Sequence, residues 1–113
     1  MSVHIFRVTV RGFFKDLAPE IRTALLDVAD EHEPLLAEFT EGGTFTYEPR
    51  LTAFSFRFQL RHQSADDAAP ADAAREVEAR ALDVATAYLT ENRIGHGDLR
   101  VQVTDMADMW REP

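Results

Sequence analysis

Three stretches of this chain alternate between mainly apolar and mainly polar positions, and the polar positions of all three carry arginine. In Val3–Arg11, His4, Phe6, Val8 and Val10 share one parity, and Ile5, Arg7, Thr9 and Arg11 the other. Thr52–His62 sets Phe54, Phe56, Phe58 and Leu60 against Ser55, Arg57, Gln59 and Arg61. Leu99–Thr104 sets Leu99, Val101 and Val103 against Arg100, Gln102 and Thr104. Successive side chains leave a pleated backbone on opposite faces, so a period of two marks a half-buried strand. Such strands demand a sheet with one face covered and one polar.

A fourth, shorter alternation, Thr44–Glu48, puts Phe45 and Tyr47 on one face. It is expected to pair with Thr52–His62 through a hairpin at Glu48–Leu51. Pro49 suits the second position of a type I turn but not the primed turns of tight hairpins, which leaves the register open.

Two segments have helical spacing. Pro19 suits a first helical turn, and Glu20 adds negative charge there. Ile21, Leu25, Val28 and His32 then form a stripe with Ala24 and Ala29 until Pro34. Ala74–Glu91 carries a second stripe of Val77, Ala81, Val84, Ala85, Tyr88 and Leu89. Gly12 is read as the end of the first strand, Glu41-Gly42-Gly43 as a turn, and Gly95-His96-Gly97 as another. Leu35–Thr40 has no clear period.

The resulting order, β-α-β-β-α-β, implies an α+β, ferredoxin-like sandwich: a four-stranded antiparallel sheet with two helices on one face. In that topology the strands lie in the order 4-1-3-2. Residues 1–104 form the single domain. Residues 105–113 are a tail whose Met106, Met109 and Trp110 are too apolar for a free end, so it is expected to dock on the domain or on a partner chain.

Composition narrows the function classes. At 113 residues the chain is one domain. It has no cysteine, which removes disulfides, thiolate metal sites and thiol nucleophiles. A net charge of −8 argues against nucleic-acid binding. No stretch approaches a membrane span and no cleavable leader is visible, so the expected compartment is the cytoplasm. Eleven arginines stand against one lysine, beside sixteen alanines, a bias that fits a bacterial, high-GC source.

The distribution of that charge is more informative than its sum. The segments Val3–Arg11, Leu51–Arg61 and Leu99–Thr104 hold Arg7, Arg11, Arg57, Arg61 and Arg100 and no acid. Asp16–Glu33 holds six acids and one arginine, and Asp66–Glu91 seven acids and two arginines. If the helices cover the aromatic parity, the other face gathers all five strand arginines with Gln59. Guanidinium groups cannot shed their charge and require counter-charges. Three sources remain open: water and salt on a solvated face, a second copy in a homodimer, or an anionic small molecule held by bidentate bonds. The candidate ligand-binding residues are therefore Arg7, Arg11, Arg57, Gln59, Arg61 and Arg100. RNA recognition on such a sheet needs exposed aromatics, which this alternation assigns to the core.

Other constellations are weaker. In this topology His4, His32 and His62 fall at one end with Asp105, and three imidazoles with a carboxylate are a metal-ligand set. No ligand spacing supports them, so they are read as unconnected, with no metal and no cofactor. His96 falls at the opposite end. Asp30-Glu31, Asp66-Asp67 and Asp105 with Asp108 are read as solvated surface. Tyr47 and Tyr88 are read as packed, with the hydroxyl at the rim. No nucleophile elbow, phosphate loop or dinucleotide motif is present.

Phe6-Arg7-Val8-Thr9-Val10-Arg11-Gly12, Phe39-Thr40 followed by Thr46-Tyr47, and Phe56-Arg57-Phe58 make the chain similar to a family of small actinobacterial proteins of uncharacterised function. The resemblance covers nearly the whole chain and brings no activity with it. Two functions are compatible with these residues. One is a small dimeric ligand-binding or accessory protein with an arginine-lined polar face. The other is a cofactor-independent enzyme of cyclase, isomerase or oxygenase type acting on a small organic anion or polyketide-like substrate, an analogy at the level of fold. Because His4 and Tyr47 fall on the parity opposite the arginines, the alternation favours binding.

Overall fold

The computed structural model describes residues 2–64 and 70–106. Four strands and two helices follow in the expected order: β1 (Ser2–Phe13), α1 (Pro19–Asp27), β2 (Thr44–Tyr47), β3 (Ala53–Ser64), α2 (Pro70–Glu91) and β4 (Arg100–Asp105). The sheet is antiparallel throughout, in the order β2-β3-β1-β4, which is 4-1-3-2 read from the other edge. The fold is α+β, an open four-stranded sheet with two helices.

Burial follows the alternation. Phe6, Val8 and Val10 of β1 and Phe54, Phe56, Phe58 and Leu60 of β3 are buried. They join Val77, Ala81, Ala85 and Leu89 of α2 and Leu25 of α1 in one core. The small alanines let α2 lie close on the central strands. Cross-strand pairs Val10↔Phe56 and Val8↔Phe58 lock the register, because a slip of one residue would turn every phenylalanine outward.

Several local expectations need correction. Gly12 does not end β1, which runs on to Phe13. Gly12 lies on the core face, where a Cβ would come within 2.7 Å of the Phe54 ring and 2.8 Å of Leu99, so the strand needs glycine for close approach. Helix α1 stops at Asp27, short of His32. It has no basic residue in its last turn, and Asp27, Asp30 and Glu31 put negative charge at the negative end of its dipole. The chain continues as two short 3-10 turns, Ala29–His32 and Pro34–Leu36. Helix α2 begins at Pro70, so the residues just before Ala74, open in the sequence between a loop and the start of this helix, belong to it.

The hairpin register is now fixed. Leu51 N–H donates to Glu48 O at 2.9 Å, and Leu51 adopts φ 52°, a left-handed residue that follows the turn at Pro49-Arg50 in the five-residue connection between Tyr47 and Ala53. Its side chain is buried, which offsets the strain of a non-glycine residue there.

Candidate functional site

The helix-free face of the sheet carries the arginines. Alternation places Arg7, Arg11, Arg57, Gln59, Arg61 and Arg100 on one side, and register arranges them in rows. Arg11 lies directly opposite Arg100 across β1 and β4 and opposite Ser55 across β1 and β3. Arg7 faces Gln59, Thr9 faces Arg57, and Arg61 faces Ile5. At about 3.4 Å per residue, Arg61 is some 13 Å from Arg57 along β3.

Residues 33–40, which had no period, divide this face. After Ala29 and His32 on the helix side, the chain wraps round the β2 edge as a strap. Arg57 Nη1 donates to the carbonyls of Pro34, at 2.8 Å, and Ala37, at 2.9 Å. The Phe39 ring sits under two guanidiniums, 4.7 Å from Arg7 and 5.9 Å from Arg57. Thr40 then rejoins the sheet, bridging to β3 beside Phe58. The Thr40 carbonyl accepts from Gln59 N–H at 2.8 Å. Thr46 is buried, and its hydroxyl lies 3.0 Å from that of Ser55.

The six candidate residues therefore separate into four groups. Arg57 is committed to the strap. Arg7 stacks on Phe39 and its Nε donates to Gln59 Oε1 at 3.3 Å. Arg61 is exposed at the far end. Arg11 and Arg100 remain together, and among the described residues neither guanidinium has an ion pair or a hydrogen bond.

These two arginines line a cavity of about 800 Å³ at the end of the sheet where β1 finishes. Pro34 of the strap, Thr46, Ser55 and Phe13 share its wall. Two acids also line it. Glu48 is paired with Arg50 at 3.4 Å, whereas Asp98 stands without an ion pair among the described residues. The lining thus keeps a net positive charge. Phe13 is the contribution that the alternation missed: it shares the parity of Arg11, and continuing the pattern through Gly12 would have found it. Pro34 and Phe39 left no periodic signal.

The groups capable of proton transfer lie elsewhere. Tyr47 is among the lining residues, but its side chain lies on the helix side and its hydroxyl is not at the rim; it is buried and donates to Leu25 O at 2.6 Å. Burial, with Tyr88 and Glu31 adding to it, pushes its pKa up to about 12. Burial also raises that of Tyr88.

The three histidines do not converge. His4 and His62 are cross-strand partners on the helix side. His4 Nδ1 lies 3.4 Å from Asp105, and His62 Nε2 bonds to Glu76 of α2. His32 sits instead against Tyr47, ring centroids 5.2 Å apart, and its Nδ1–H donates to Phe45 O at 2.8 Å. Phe45 pairs with Phe56, which faces Val10, so His32 is about 20 Å along β1 from His4. The expectation failed because α1 stops early. His96 lies at the opposite end from His4, bridging Phe14. Among the described residues no group of three or more histidine or carboxylate side chains is placed to hold a metal ion.

Met106 is buried, while Asp66, Asp67, Asp108, Met109 and Trp110 lie outside the described residues. No described helix is long and apolar enough to cross a membrane. No curated protein and no solved structure matches the chain. Its alternating strands and their arginines run through a sequence whose residues 1–112 match a family model, and the chain belongs to that family, DUF6204, a family of unknown function.

Proposed function

We propose that this protein binds an anionic small molecule in the cavity beside Arg11 and Arg100. The observation that carries the reading is the direct cross-strand opposition of these two arginines, neither of which has an ion pair among the described residues. Opposed residues of an antiparallel pair hold their Cβ atoms about 5 Å apart, and like charges there are destabilising. An anion between them removes that repulsion and gains charge-assisted, bidentate bonds. Binding is favoured over catalysis because no histidine lines the cavity among its described residues, and the Tyr47 hydroxyl is already engaged.

The proposal extends to a homodimer in the bacterial cytoplasm. Leu35 and Leu36, which follow the cavity-lining Pro34 on the strap, are 89% and 76% exposed. A second copy across the strap would cover both and close the cavity mouth. Strands of up to 12 residues, four abreast, give a face of at most roughly 800 Å², which is the size per partner of a standard interface.

Thermal unfolding in increasing phosphate or acetate, at constant ionic strength, tests the site. A ligand that binds only the folded state raises Tm with its concentration. The rise should vanish in an Arg11→Ala, Arg100→Ala double variant. An equal rise in that variant overturns the assignment. Sedimentation equilibrium tests the dimer, and a monomer at all concentrations, with and without anion, refutes it.

A further inference from the structure

The cavity is far larger than a bare oxyanion needs. Its volume of about 800 Å³ falls within the range of sites that take drug-sized organic ligands. Its wall is also not uniformly polar. Phe13 stands on the arginine face, two residues beyond Arg11 in the same strand, and is 61% exposed. Its partner across the sheet, Ala53, is small and leaves the ring uncovered on that side. Pro34 adds a second apolar surface from the strap, fixed there by Arg57. Cationic groups and an uncovered aromatic ring thus share one cavity, with Ser55 as a neighbouring hydroxyl. A simple oxyanion would leave Phe13 in water. A ligand with a flat apolar body would cover it while its anionic end engages the guanidiniums.

We infer that the cavity selects an aryl anion, a carboxylate or phosphate carried on an aromatic body, and that Phe13 is its specificity-determining residue. The inference rests on the proposed anion site and adds the chemistry of the rest of the ligand. The anionic end lies at Arg11 and Arg100, and the ring packs on Phe13 with Pro34 opposite. Offset or edge-to-face packing on Phe13 adds to the area buried, so the aromatic body is favoured over an aliphatic one of similar size.

Calorimetric titration with two matched pairs, phenyl phosphate against inorganic phosphate and 2-naphthoate against acetate, provides the test. The two pairs distinguish a phosphate from a carboxylate head group. The readout is the ratio of affinities within a pair, because general destabilisation lowers both members alike and leaves the ratio unchanged. In the wild-type protein the aryl member of at least one pair should bind tenfold or more tightly. Phe13→Ala should reduce that ratio below threefold, and Phe13→Leu should leave it between the two. The Arg11→Ala, Arg100→Ala variant should weaken both members of the pair. If both members bind equally, and both depend on the arginines, the anion site stands and the aryl inference is overturned. If the aryl preference survives Phe13→Ala, the role given to Phe13 is wrong. If no probe binds the wild-type protein, the anion site and this inference fall together.

Discussion

Replacing Arg57 with alanine removes the two hydrogen bonds that fasten residues 33–40 over the edge of the sheet. Each joins a charged donor to a carbonyl, a class of bond contributing about 1.5–3 kcal/mol. The stacking on Phe39, at 5.9 Å and so near the limit of its range, adds about 0.5 kcal/mol. The full sum is not expected, because a loosened strap lets water reach the carbonyls of Pro34 and Ala37. Its neighbours Leu35 and Leu36 are already exposed. Both hydrogen bonds are part-buried, so the loss is not confined to the surface. The net cost is about 2–4 kcal/mol, a large share of a stability of about 5–15 kcal/mol. With a urea m-value of about 2 kcal/mol/M, the midpoint should fall by about 1–2 M. Arg57→Lys should recover less than half, because an ammonium lacks the planar fork that reaches two carbonyls. Limited chymotrypsin digestion gives the local readout, with faster cleavage after Leu35, Leu36 or Phe39 in the alanine variant. A midpoint within about 0.3 M of wild type, together with unchanged cleavage, would refute the view that Arg57 holds the strap.

Two further predictions concern the core. The Tyr47 pKa, pushed up to about 12, exceeds the unfolded value of 10, so the folded state keeps its proton longer. The stability this contributes is complete below pH 10 and is lost as the pH rises towards 12, by up to about 1.4 kcal/mol per pH unit. Tyr47→Phe should cost about 1–2 kcal/mol at pH 7 by leaving Leu25 O unpaired, yet lose less stability than wild type between pH 9 and 11. Denaturation across that range checks the slope, and parallel losses in both proteins would contradict it. Gly43→Ala places a Cβ against the fully buried Phe58 ring, on a residue with φ 85°, and should cost more than about 2 kcal/mol in urea melts. Gly42→Ala meets nothing within 4 Å and should stay within about 0.5 kcal/mol of wild type. Equal effects at the two glycines would show that the clash is relieved elsewhere.

What the sequence made legible was whatever repeats every second residue. Phe54, Phe56 and Phe58 announce the buried face of β3, and Arg57 and Arg61 between them announce the other face; pleating alone connects the two facts. What it concealed was held by side chain to backbone bonds across the fold. Nothing in Pro34–Phe39 indicates that its carbonyls will meet Arg57, more than twenty residues away in sequence. A face of five equivalent arginines thus became one clamp, one stack, one outlier and one pair. Phe13 was missed for a simpler reason. Gly12 resembles a strand terminator, but it is the residue that lets β1 pass close to Phe54 and continue. The histidine geometry depended on the length of α1, which its acidic C-terminal end cut short.

The most direct measurement is of the arginine side chains themselves. Nε–Hε resonances of the ¹⁵N-labelled protein, followed while phenyl phosphate is added, report each guanidinium separately. The Arg11 and Arg100 signals should shift together and saturate with one binding constant, while Arg57, occupied by Pro34 and Ala37, stays in place. Saturating shifts at Arg57 or Arg61 with Arg11 and Arg100 unmoved would contradict the account.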